Sequence, residues 1–80
     1  MFEAQIKIIL KKTVADPQGL TVKHALESLD FKGIDEVRMG KFIIVKLTAK
    51  NEAEAKAEAE QMSKKLLANP IIEDFTVEIR

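Results

Sequence analysis

The segment Val37-Arg38-Met39-Gly40-Lys41-Phe42-Ile43-Ile44-Val45-Lys46-Leu47-Thr48 decides the fold, because it can be read as two short strands around a turn or as one long strand. A two-residue turn at Gly40-Lys41 puts Met39 and Phe42 on one face. That groups Val37 and Met39 with Phe42, Ile44 and Lys46, and splits the apolar set. As one strand, the chain lines a single face with Val37, Met39, Ile43, Val45 and Leu47, interrupted only by Lys41. The long strand keeps the apolar residues together, and a bend or bulge is expected at Gly40, where the missing Cβ permits irregular backbone. Such a strand exceeds the usual five or six residues, so its far half should extend past its own helices, with Lys41 marking where the cover ends. The unpaired backbone of that half would be satisfied by a second copy, through edge pairing or face-to-face packing.

The flanking segments are simpler to place. Phe2, Ala4, Ile6, Ile8 and Leu10 alternate with Glu3, Gln5, Lys7 and Lys11, the period of a strand with one covered face. Asp16 can accept hydrogen bonds from the free N–H groups of a helix start, and Pro17 supplies a preset φ where its lost donor costs nothing. From Pro17 to Leu29 the residues Val22, Ala25, Leu26 and Leu29 form one apolar stripe, and Gly33 opens the connection that follows. Asn51 with Glu54 resembles a capping box ahead of a segment rich in Ala, Glu and Lys, with Ala55, Ala59, Met62 and Leu66 as its inward stripe. Pro70 ends that helix. Ile71, Phe75, Val77 and Ile79 then share one parity of a last strand. The order β-α-β(long, bent)-α-β predicts an α+β two-layer sandwich related to the ferredoxin-like pattern, with an antiparallel sheet, two helices on one face and dimerisation through the long strand.

Eighty residues, expected to form one domain over residues 1–80, leave little stability in reserve, since a chain this short buries only about 60–65% of its unfolded surface. There is no cysteine, so disulfides and thiolate metal sites are excluded and self-association is the remaining common support. Thirteen basic residues balance thirteen acidic ones, which removes the positive excess that drives nucleic-acid binding. No apolar run approaches the roughly 20 residues that span a bilayer, and Met1 leads into a strand pattern instead of a leader, so a cytoplasmic protein is expected.

Chemistry is sparse. The single histidine, His24, lies between Val22 and Ala25 and reads as a helix-surface or interface residue before an acid–base group. One histidine with scattered carboxylates does not suggest a metal site. Glu52, Glu54, Glu58 and Glu60 could be imagined as paired catalytic carboxylates, but their spacing to Lys56 and Lys64 favours a solvated helix face. Arg38 and Lys41 could hold a phosphate or a partner carboxylate, structural or interfacial use being preferred. Phe2 and Phe75 fall on core parity, leaving Phe42 and Phe31 for an outer surface, too few for a base-stacking platform.

The string Asp16-Pro17-Gln18-Gly19 with Val22, His24, Ala25 and Leu26, the run from Val37 to Lys41, and Leu66-Leu67-Ala68-Asn69-Pro70-Ile71-Ile72-Glu73-Asp74-Phe75 together resemble the PurS subunit family of phosphoribosylformylglycinamidine synthase. The blocks span nearly the whole chain in order. The resemblance implies a non-catalytic subunit that forms a homodimer, or a dimer of dimers, and bridges a glutaminase, PurQ, to an ATP-dependent synthetase, PurL, assisting ammonia transfer in purine biosynthesis. It implies no cofactor on this chain, with ATP and magnesium acting at the synthetase. It transfers no catalytic residue, so the interface candidates are Asp16, Gln18, Gly19 and His24 at the first helix, and Arg38, Gly40 and Lys41 on the long strand. The competing expectation, from fold analogy alone, is a small dimeric regulatory module that binds a metabolite at its subunit interface.

Overall fold

Alternation over the first ten residues builds the centre of the sheet. In the computed structural model, which describes residues 1–80, β1 (Phe2–Leu10) lies between β2 (Gly40–Leu47) and β3 (Glu73–Ile79) and is antiparallel to both. Helix α1 (Pro17–Ser28) follows β1, and α2 (Glu52–Met62) follows β2 and runs into a π-helical turn, Ser63–Leu67. The α+β class, the antiparallel sheet and the element order all agree with the sequence reading.

Residues directly opposite in an antiparallel ladder share a face. Ala4, Ile6 and Ile8, all buried, therefore share theirs with Val45, Ile43 and Lys41 on one side and Ile79, Val77 and Phe75 on the other. The opposite face carries Gln5, Lys7 and Ile9 beside Phe42, Ile44, Asp74, Thr76 and Glu78.

The central segment is one strand and not a hairpin. Its register with β1 runs without a bulge from Phe2↔Leu47 to Ile9↔Gly40, so Gly40 and Lys41 lie inside β2. Gly40 is a glycine for a different reason from the bulge expected there: a Cβ would stand 2.6 Å from the Ile8 carbonyl oxygen. Val37, Arg38 and Met39, assigned above to the long strand, have no strand partner within the chain. Their would-be neighbour β1 ends at Leu10, where the chain turns away toward α1.

Asn51 caps α2 by accepting from the Glu54 N–H at 2.9 Å, while the Glu54 carboxylate accepts from Lys50 N–H at 3.3 Å, one residue earlier than in a standard capping box. The inward stripe departs from expectation. Ala55, Ala59 and Ser63 are fully buried, whereas Met62 is partly and Leu66 largely exposed, at 36% and 82%. A spacing of four residues drifts about 40° per turn on a 3.6-residue helix. The π turn takes up that drift and carries Leu67 and Ala68 onto the core, closed by Ala68 N–H donating to the Ser63 carbonyl at 2.9 Å. The buried Ser63 hydroxyl is satisfied by donating to the Ala59 carbonyl at 2.9 Å. Ile71 also lies outside β3 and is exposed, because Asn69 organises a turn: its side chain accepts from Ile71 N–H and its carbonyl from Glu73 N–H.

Cover of the sheet is unequal. Helix α2 packs on β1 and β3, while α1 makes no more than marginal contact with any strand. The chain is consequently long, with extents of 50 × 24 × 15 Å and a radius of gyration of 15.9 Å. A compact chain of this length would have a radius of about 12 Å.

Replacing Ala59 by Leu should destabilise the chain by about 1–3 kcal/mol through overpacking, while Leu66→Lys should change stability by less than about 0.5 kcal/mol. Urea unfolding of both variants measures the contrast, and the opposite ranking would contradict the stripe described here.

Candidate functional site

The start of α1 is tied to the segment before β2 by one carboxylate. Asp16 Oδ1 accepts from Gly19 N–H at 2.9 Å, as an N-cap should, and Oδ2 accepts from Met39 N–H at 2.6 Å. These two N–H donors, Met39 first, hold the Asp16 carboxyl below its ordinary value against the cost of burial, and the nearby Arg38 guanidinium adds to the effect.

Arg38 strengthens the same junction. Its Nη2 donates to the Lys11 carbonyl at 2.9 Å and to the Val14 carbonyl at 2.8 Å, fastening the β1–α1 connection to the segment before β2. Gly19 completes the junction by close approach. A Cβ at this position would fall well inside contact distance of the Val37 carbonyl, so only glycine lets α1 lie this near the backbone of the segment.

Gly40 and Lys41 sit one step further along, on the edge of a recess that Asp16 and Gln18 also line, with Ile8, Leu10, Met39 and Glu73 completing it. Lys41 Nζ stands 3.6 Å from Glu73 Oε2, a pair across the helix-side face beyond Ile8 in which the lysine is exposed and the glutamate largely buried. Six of the seven candidate residues thus gather at one end of the sheet. His24 does not join them; it is exposed on α1.

Glu73 was missed by the sequence reading. It joins Lys41 through one oxygen and accepts from Asn69 N–H at 2.7 Å through the other. A signal was present: Glu73 is an acid on the apolar parity of β3, matching Lys41 as the lone cation on the apolar parity of β2. The i,i+4 pairs proposed along α2, Glu52 with Lys56 and Glu60 with Lys64, do not close into ion pairs, although their residues lie on its solvated side.

Chemically this junction holds elements in place. Asp16 commits both oxygens to backbone donors and its proton affinity is lowered, the reverse of what a general base needs near neutral pH. Arg38 commits one terminal nitrogen to two carbonyls and is among the residues that line the groove between α1 and residues 35–38.

Because the folded-state pKa of Asp16 is depressed, its contribution is complete above the unfolded value of 3.8 and is lost as pH falls through the lower folded value. Asp16→Asn keeps one acceptor oxygen and loses the other, so it should unfold several degrees earlier at pH 7 and show a shallower fall in Tm between about pH 5 and pH 2. Parallel acid limbs for the two proteins would contradict the assigned role. Gly19→Ala should destabilise by about 1–3 kcal/mol, against the roughly 1 kcal/mol gain that helix propensity alone would give, as read by chemical denaturation.

Comparison with known proteins places this geometry. The PurS family model, described as phosphoribosylformylglycinamidine (FGAM) synthase, matches residues 3–80. Subunit PurS of phosphoribosylformylglycinamidine synthase from Methanocaldococcus jannaschii is 42% identical over 79 residues, covering 99% of this chain and 95% of that protein. The PurS subunit of Bacillus subtilis is 35% identical, covering 99% and 93%. The crystal structure of the M. jannaschii protein superposes with a TM-score of 0.88 at 41% identity, over 100% of this chain and 96% of that one. A chain in the structure of PurLQS from Thermotoga maritima superposes with a TM-score of 0.89 at 26% identity, over 99% and 96%. The chain therefore belongs to the PurS family, the small subunits of phosphoribosylformylglycinamidine synthase.

Proposed function

We propose that this protein is the non-catalytic bridge of a cytoplasmic phosphoribosylformylglycinamidine synthase, acting as a homodimer between a PurQ glutaminase and a PurL synthetase. The observation that carries this reading is its likeness, over 99% of its length, to a chain of the T. maritima PurLQS structure. The junction of Asp16, Gly19 and Arg38 supports it from the protein's own side, since its polar groups are spent on holding elements in register. No cofactor is assigned to this chain; ATP and magnesium act at the synthetase.

Self-association is favoured by the shape of the chain. Residues 34–39 have no strand partner, and the outer edge of β2 is unpaired. Only six hydrophobic residues are buried, too few for a chain of this size to rely on alone. Pairing the two ribbons antiparallel would satisfy both sets of free backbone groups.

A rigid dimer serves ammonia transfer by geometry. Ammonia released into solvent is diluted and largely protonated near neutral pH, so two active sites benefit from being held in fixed register with water excluded. PurL and PurQ assayed without this protein should lose most glutamine-dependent turnover while keeping turnover on added ammonia. Equal glutamine-dependent rates with and without it would reject the bridging role.

A further inference from the structure

We propose that the turn between α2 and β3 docks this protein on a larger subunit of the synthase, one whose contact face is an apolar pocket rimmed by carboxylates. This rests on the bridging reading above and names its contact. Apart from Met1 at the chain start, Leu66 and Ile71 are the most exposed large hydrophobic residues, at 82% and 81%. They stand at the two ends of one turn, and the backbone fixes both. The π turn Ser63–Leu67 seats Leu67 and Ala68 on the core and so directs Leu66 outward. At the other end the Asn69 side chain accepts from Ile71 N–H at 3.0 Å, and its carbonyl accepts from Ile72 N–H at 3.2 Å and Glu73 N–H at 2.7 Å. Asn69 N–H itself donates to Glu73 Oε1 at 2.7 Å. Aliphatic anchors on a turn pinned in this way lose little freedom on binding.

A single exposed leucine is ordinary, but these two flank a shaped surface. Beside the turn opens a recess of about 570 Å³, lined by Ala68, Pro70 and Phe75 together with Lys11, Lys64, Glu73 and Asp74. The surface therefore offers both protrusions and a hollow, the relief that a packed protein contact uses.

Charge identifies the occupant. Lys11, Lys12, Lys41, Lys64 and Lys65 gather at this end of the sheet, where Lys11 N–H donates to the Ile72 carbonyl at 2.8 Å. The carboxylates among them are already taken: Asp74 by Lys11 at 2.6 Å, and Glu73 by Lys41 at 3.6 Å and by Asn69 N–H. Lys12, Lys64 and Lys65 are exposed and form no ion pair. A chain of zero net charge thus shows an excess of positive charge around its two most exposed aliphatic anchors, which a pocket rimmed by Asp and Glu complements. An anionic lipid surface suits the lysines alone, since it fills no recess with a fixed side chain and repels Glu73 and Asp74. The turn is also separate from the unpaired edge of β2, because β1 lies between β2 and β3. A twofold dimer displays it twice.

Leu66→Glu and Ile71→Glu alter side chains outside the core, so each variant should keep the circular dichroism spectrum and the homodimer mass of the wild type. Each should raise the dissociation constant for a mixture of PurL and PurQ at least about tenfold, read by fluorescence anisotropy of labelled protein. If one variant fails to fold, the other carries the test. Lys64→Glu combined with Lys65→Glu should weaken binding at about 0.05 M salt and approach the wild type at about 0.5 M, where exposed charges are screened. An unchanged dissociation constant in a folded apolar variant overturns the proposal, and no loss in the lysine variant at low salt overturns the acidic rim. A homodimer that dissociates in either apolar variant overturns it as well, by assigning the turn to self-association. Wild-type protein that sediments with phosphatidylserine vesicles and is released by Leu66→Glu overturns the protein partner in favour of lipid. Wild-type protein that binds neither PurL nor PurQ overturns the bridging reading beneath it.

Discussion

One carboxylate, that of Asp16, accepts from Gly19 N–H at the start of α1 and from Met39 N–H 23 residues away in sequence, and much of the molecule's shape follows from it. An N-cap alone would start the helix without fixing where it goes. The second oxygen fixes the direction, since it pins the first turn of α1 against the chain just before β2. Arg38 then donates to the Lys11 and Val14 carbonyls where β1 gives way to the connection, and Gly19 removes the side chain that would hold helix and segment apart. Three adjacent contacts of different kinds thus hold α1 away from the sheet, where it makes no more than marginal contact with the strands.

Elongation has a thermodynamic consequence. A sheet of three strands covered by a single helix buries Ala4, Ile6 and Ile8 fully, but leaves the rows of β2 and β3 partly in water. Alanines at positions 55 and 59 let α2 lie close to the strands, which gives tight packing and little apolar area per residue. Anything that binds only the folded chain then adds a large fraction of its stability by mass action. For a subunit of a larger enzyme, folding and assembly become coupled properties.

Much of this was legible in the sequence, and the failures have identifiable causes. Strand alternation in β1 and β2, the Asp16 and Asn51 caps and the absence of a turn at Gly40 all follow from local rules that the structure obeys. The stripe of α2 was misjudged at Met62 and Leu66 because a 3.6-residue period was assumed through Leu67, where the helix widens. Strand character at Val37–Met39 was assigned from parity, which senses the faces of a ribbon but cannot tell whether a neighbour exists. The roles of Gly19 and Gly40 were also invisible locally. Each is set by a carbonyl from elsewhere in the chain, Val37 for one and Ile8 for the other, and not by its own backbone angles.

The site candidates came from resemblance and the structure gives them a physical meaning. Asp16, Gly19 and Arg38 are better understood as the joint that sets the angle between two halves of a ribbon than as a surface waiting for a ligand. Such a joint matters to a bridging subunit because the separation of the two enzyme sites it serves depends on how rigidly those halves are held. A loss of register of about 1 Å is enough to slow a positioned reaction severely. Backbone N–H donors closing on a carboxylate, with a guanidinium beside it, make a stiffer joint than exposed ion pairs such as Lys11 with Asp74, which salt screens and side-chain entropy weakens. Polar residues that do no chemistry are therefore placed where stiffness is needed.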